Sequence, residues 1–193
     1  MKNLLPLILV CLFPIFGNAQ ETNKADRWYS TAELELMIPT KARYDYSIDN
    51  IGSDVEINSK IALGAQYTLN YLLFKKFSVG ALAGYEQQFK PDFSMLRLGG
   101  IIKFFFVDPD NVYIYLQEAG NISLDKSNFK SGNNIRIGLG FPILKRESFN
   151  INTNVFLEQN YLDLKGADAL LFETEEPADI YLNSIGISLG VQF

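Results

Sequence analysis

Six residues stand out as able to do chemistry: Glu33, Glu35, Glu86, Arg97, Arg136 and Glu158, most of them set between apolar neighbours. Two facing carboxylates are the equipment of glycoside hydrolysis, one giving a proton while the other activates water or attacks. Carboxylates facing arginines make a charge-assisted network with no turnover. The 193 residues contain no histidine, so the commonest general acid and base near neutral pH is missing. A serine paired with lysine or aspartate is chemically open, but no spacing singles one out. The oxygen-rich stretches "DNIGSD" (Asp49–Asp54) and "DPDN" (Asp108–Asn111) lack the full spacing of a calcium loop and use the ordinary residues of turns. The glycines lie inside alternating segments, not between a strand and a helix, so no phosphate loop is present. The expectation is no catalytic residue, no cofactor-binding residue and no metal ligand.

What must position these six residues is strands, because the chain alternates in polarity with period two and lacks a sustained helical period after residue 20. In "WYSTAELELMIP", from Trp28, Ala32, Leu34, Leu36 and Ile38 take one face and Thr31, Glu33 and Glu35 the other. In the run from Ile57, Ile61, Leu63, Ala65, Tyr67, Leu69 and Tyr71 oppose Asn58, Lys60, Gly64, Gln66, Thr68 and Asn70. Further runs span 77–88, 94–106, 112–122, 133–142, 149–163 and 179–193, giving about eight strands. In "VYIYLQEAG" both faces are apolar and the phase stays open. Such runs are longer than ordinary soluble strands and suit a tilted strand crossing a bilayer, which takes about 9–11 residues.

The connections "FKK", "VDPDN" and "LKRES" are short, whereas "TKARYDYSIDNIGSDVE", "NISLDKSNFKSG" and "LKGADALLFETEEPAD" are long and polar; "FKPDF" breaks the rule. Short turns at one end and long loops at the other fit a transmembrane barrel. Trp28, Tyr29, Tyr71, Phe74, Phe77, Phe104, Phe106, Tyr113, Phe141, Phe149 and Phe193 fall at the short-turn ends. Tyr44, Tyr46, Phe89, Phe93, Tyr161 and Tyr181 fall near the loops. These are the positions of two interfacial girdles.

Residues 1–19 read as a cleavable signal peptide, with Lys2, an apolar run broken by Pro6 and Pro14, and Ala19 before the cut. Residues 20–27 are a short polar lead-in on the periplasmic side. The single cysteine, Cys11, lies in the leader, so the mature chain has no thiol chemistry; "ILVC" lacks the small residues of a lipoprotein cut. With 17 Lys plus Arg against 22 Asp plus Glu, the net charge is −5 and no basic patch suits nucleic acid.

The final stretch, "NSIGISLGVQF", alternates Ile185, Ile187, Leu189, Val191 and Phe193 with Ser184, Gly186, Ser188, Gly190 and Gln192. Its aromatic end looks like the C-terminal sorting signal of outer-membrane barrels. The chain from Trp28 to Phe193 resembles the small, roughly eight-stranded outer-membrane barrel family of Gram-negative bacteria, of the OmpA-barrel, OmpX or PorT kind. The resemblance implies an all-β, single antiparallel up-and-down transmembrane barrel over 28–193. It also implies outer-membrane localisation, contact with lipid and lipopolysaccharide, and recognition by the barrel-assembly machinery during insertion. The enzymes among small outer-membrane barrels rely on an active-site histidine, so no position here inherits that role.

Eight strands enclose just enough space for side chains. Glu33, Glu35, Glu86, Arg97, Arg136 and Glu158 fall midway along their strands and are expected to form a central charge network that plugs the barrel; an ion path is the alternative. Lys60 is expected inside near the loop end and Lys103 near the turn end. In the longest loop, Leu170, Leu171 and Phe172 beside an acidic run either meet a protein partner or headgroups, or fold back onto the barrel mouth. The expected function is a non-enzymatic structural or surface-interaction role. A barrel of a secretion or envelope machine is the second reading, and a soluble lipocalin-like barrel the third, because swapping inside for outside preserves the alternation.

Overall fold

The computed structural model describes residues 27–49, 51–107, 109, 111–125 and 128–193. The leader, all of the lead-in but Arg27, Cys11, Asn50 and Asp108 lie outside the described residues. Alternation leaves each strand with unpaired amides on both edges, and the chain satisfies them by pairing in sequence. The strands are β1 (Trp28–Ile48), β2 (Ile51–Glu56), β3 (Ala62–Phe74), β4 (Phe77–Phe89), β5 (Asp92–Phe105), β6 (Tyr113–Ser123), β7 (Ser131–Lys145), β8 (Asn150–Asp163) and β9 (Glu176–Gln192). β1 and β3 through β9 pair antiparallel in order, and β9 closes on β1, giving an eight-stranded up-and-down barrel. Followed around the ladder, the register of Thr31 runs through Thr68, Leu82, Gly99, Ala119, Asn134, Asn160 and Leu182 and lands on Ala42, farther up β1. The strands are therefore tilted and staggered, as closure demands.

Three departures from period-two reading have local causes. The first strand continues to Ile48 because the register shifts between Pro39 and Lys41, which turns Ala42 and Tyr44 inward where strict alternation would turn Arg43 in. The stretch read as a loop contains a hairpin: β2 pairs with residues 43–48 of β1 across a tight turn, and Asp49 takes φ 53°, a left-handed conformation aspartate tolerates. Pairing in the barrel resumes only at Ala62, so Lys60 lies outside the lumen and is exposed. The open phase of β6 resolves with Tyr113, Tyr115, Gln117, Ala119 and Asn121 inward and Ile114, Leu116, Glu118, Gly120 and Ile122 outward.

Large and small residues interlock inside. A Cβ on Gly140 would stand 2.1 Å from the Tyr113 ring, and one on Gly186 2.2 Å from the Phe156 ring. An apolar cluster including Phe105, Tyr113, Tyr115 and Phe156 fills the interior from the turn end upward, with Tyr29 and Leu72 against it. A second, including Ala42, Tyr44, Phe93, Met95, Phe129, Leu162 and Ile180, fills the loop end. Tyr29, Tyr44, Phe93 and Tyr113 thus belong to the interior rather than to a girdle.

The wall is tightest between β5 and β6, where a Cβ on Gly99 would lie 2.0 Å from the Glu118 carbonyl oxygen, while one on Gly100 meets nothing nearer than 3.6 Å. Gly99→Ala must push the paired strands β5 and β6 apart and is expected to lower stability by about 1–3 kcal/mol. Gly100→Ala is expected to leave stability unchanged or raise it by up to about 1 kcal/mol, since it only stiffens the unfolded chain. Urea titration of the folded band on unboiled gels distinguishes the two.

Candidate functional site

The tilt brings polar positions from five strands to one level of the lumen. Arg136 on β7 donates Nη1 to Glu35 Oε1 at 2.6 Å and Nη2 to Glu35 Oε2 at 3.0 Å. It also donates Nε to Glu158 Oε2 at 2.8 Å, with a second bond from Nη2. Arg97 on β5 pairs through Nη2 with Glu35, and its Nη1 lies 3.4 Å from Glu158 and 3.5 Å from Glu86. Asn160 donates to Glu158 at 3.1 Å and to Glu86 at 3.4 Å, and is itself held by Asn121 and Asn134. The Arg136 guanidinium lies over the Phe156 ring, 3.8 Å from its centroid. Gly64 makes the space: a Cβ there would stand 2.7 Å from Glu35 Oε2 and 3.2 Å from Arg97 Nη2.

The two arginines are unequally served. Every nitrogen of Arg136 is used, whereas Arg97 Nε and Glu86 Oε2 find no hydrogen bond, the 3.5 Å contact from Arg97 being an ion pair only. Glu33 stands outside the ion pairs. It accepts hydrogen bonds from Asn154 at 3.0 Å and Ser188 at 2.9 Å. The nearby cation is Lys103, whose Nζ lies 5.3 Å from the ring centroids of both Tyr29 and Tyr113. Among the described residues four carboxylates thus share this level of the lumen with three cations, all of them buried. The carboxylates and arginines are each hydrogen-bonded or paired, as ionised groups there must be, and Lys103 lies against the faces of two tyrosine rings. Both arginines are committed to carboxylates, and apolar clusters lie on either side of the belt. Among the described residues no His, Cys, Asp and Glu grouping suits a metal ion.

At the loop end the buried carboxylate of Glu175 accepts hydrogen bonds from Tyr44 Oη at 2.7 Å and from the Leu170 and Leu171 amides at 2.6 and 2.9 Å. The loop residues divide accordingly. Leu170 packs against the loop-end cluster, whereas Leu171 and Phe172 are 45% and 52% exposed, with Phe172 tilted on Tyr46 at 6.2 Å. Sequence alone does not single out Glu175, because nothing in "FETEEPAD" separates it from its acidic neighbours; the inward Tyr44 that binds it is legible only once the β1 bulge is known.

Ile185, Ile187, Leu189, Val191 and Phe193 all face outward. They continue an apolar surface that includes Leu34, Leu98, Leu116, Ile137 and Leu157. Trp28, packed on Tyr71 at 4.8 Å, rings it at the turn end with Phe74, Phe104, Phe106 and Phe141; Phe89 and the Tyr161–Tyr181 pair lie toward the loops. Glu118 is the exception on this surface.

Arg136→Met leaves Glu35 and Glu158 facing each other and is expected to cost about 3–5 kcal/mol, with Arg97→Met costing less. Urea midpoints of the folded species measure both; a wild-type midpoint in each would mean that the belt contributes nothing. Glu175→Ala removes three hydrogen bonds from the loop at 164–175 and is expected to speed protease cleavage there several-fold in intact cells, with the barrel itself uncut.

No protein-family model and no curated protein matches the chain. Among solved structures, neisserial surface protein A is 13% identical with a TM-score of 0.44, covering 86% of this chain and 99% of that one. OprG of Pseudomonas aeruginosa is 12% identical with a TM-score of 0.49, covering 86% and 96%. AlkL is 10% identical with a TM-score of 0.47, covering 92% and 94%. The likeness is one of coarse strand layout; the eight-stranded antiparallel barrel is established by this chain's own ladder.

Proposed function

We propose that the protein is an integral outer-membrane barrel of a Gram-negative bacterium, with a closed, non-enzymatic interior and a structural or interactive role exercised through its surface. One observation carries this reading: the polarity of the fold is inverted. Arg97, Arg136 and Lys103 are at most 2% exposed, while Leu34, Leu157 and Leu189 are 56–71% exposed. In water that surface would drive aggregation, and in hydrocarbon it is at rest. A soluble ligand-binding barrel would need the apolar face inside. The two aromatic zones fit the two interfaces of a bilayer.

Lipid and lipopolysaccharide are then the neighbours of the wall, and the strand ending at Phe193 is the segment read by the barrel-assembly machinery. Leu171 and Phe172, held out on the Glu175 anchor, are the residues offered to a protein partner outside the cell. A place in a larger envelope assembly is a second reading, favoured by the outward carboxylate of Glu118.

The test is fractionation followed by gels with and without boiling, then planar-bilayer recording. The expected result is recovery in the outer membrane, a heat-dependent change in migration, and no sustained single-channel opening. Recovery in the soluble periplasmic fraction, with unfolding in detergent without heat, overturns the membrane reading. Steady conductance overturns the closed interior.

A further inference from the structure

Glu118 is the central residue of β6 and points outward, opposite Gly100 on β5 and Ile135 on β7. Leu98, Ile102, Leu116 and Ile135 surround it, each 43–51% exposed. Among the described residues nothing pairs with its carboxylate. If the wall faces lipid, as proposed above, this group sits at mid-depth with neither water nor a counter-charge, a costly position that membrane surfaces avoid.

The wall beside it is also thinned. Ala81 and Ala83 on β4, Gly100 on β5 and Gly120 on β6 are neighbouring outward positions. With no side chain on Gly99 or Gly100 the outer surface dips there, and Gly99, inward by register, is itself exposed. The result is a trough of about 420 Å³ whose lining includes Gly80, Gly99 and Ala119 as well as Glu118. Small residues on a lipid-facing surface let another backbone come close.

We propose that this trough docks a different membrane protein, through a surface that carries a lysine or arginine at mid-depth. Charge complementarity selects this occupant. An acyl chain would fill the trough and leave the carboxylate unpaired. Among the described residues a second copy has no cation to offer at that depth: its outward lysines lie by the turns, as Lys75, Lys76 and Lys145 do, or on the loop side, as Lys60, Lys90 and Lys165 do and as Lys41 does beyond the shift at Pro39. Its mid-depth arginines, 97 and 136, face the lumen and are committed there. A two-fold dimer through this face would set Glu118 against Glu118.

The experiment is photocrosslinking in native membranes, with a benzophenone amino acid at Leu116 in the full chain. The expected adduct joins the barrel to one other outer-membrane protein. It falls about tenfold or more in Glu118→Lys and in Glu118→Gln, as loss of a desolvated charge pair requires, and in Gly100→Leu, which fills the trough. Changing the partner's facing lysine or arginine to glutamate restores the adduct to Glu118→Lys. Unboiled gels check that each variant is folded; if Glu118→Lys does not fold, Glu118→Gln and Gly100→Leu decide. An adduct only to itself or to lipid, or one undiminished in folded Glu118→Gln, overturns the proposal. Those outcomes leave wild-type protein in the outer membrane with its heat-dependent shift, so they are distinct from failure of the membrane reading.

Discussion

Closure of β9 on β1 is the constraint from which the rest follows. A sheet that meets itself has no edge, so no strand amide in the wall is left to seek water. Closure with eight strands also fixes how little lies inside. The lumen is wide enough for side chains alone, so every inward residue becomes the neighbour of others across the barrel. Arg136 on β7 meets Glu35 on β1 for that reason, although the two are far apart in the ladder. The ion pairs, the ring-on-glycine contacts and the apolar ends are ways of filling one narrow volume without orphaned charge.

That filling is layered. The arginine–carboxylate belt lies below an apolar cap in which Tyr44 reaches up to Glu175, and an aromatic group around Tyr113 and Phe105 lies toward the turns. Each layer excludes water from the next, which strengthens the ion pairs and raises the cost of breaking any one of them. Selection for solute passage would favour a wet, sparsely filled lumen. This interior is filled instead: Glu35 and Glu158 are each 4% exposed.

Much of this was legible in the sequence because alternation is a direct imprint of a two-faced sheet. The outward set ending at Phe193 and the inward placement of Glu35, Glu86, Arg97, Arg136 and Glu158 follow from period two, and the asymmetry of turns and loops from the lengths between the runs. What escaped it has physical causes. A single shifted residue near Thr40 reverses the phase, so Ala42 and Tyr44 look like loop residues when they are core. Glu33 has the same sequence character as Glu35, yet Asn154 and Ser188 hold it while both arginines turn to its neighbour; partner choice is a property of tilt, not of pattern. In β6 tyrosines lie inward and a glutamate outward, so both faces look mixed. The rings of Tyr113 and Tyr115 find room only because glycines occupy positions 140 and 138 on the adjacent strand.

The same ambiguity bears on how Glu118 should be understood. On a water-exposed sheet a lone glutamate among isoleucines and leucines would be ordinary, since surface charges need no partner. On a wall whose other mid-depth positions are apolar, the interior demonstrates the rule this chain follows elsewhere: a carboxylate without water is given a guanidinium or hydrogen-bond donors, as Glu35, Glu33 and Glu175 all are. Glu118 breaks that rule within the isolated chain. A second surface that supplies the missing cation would bring it back under the rule, and the small residues around it are what would let such a surface approach.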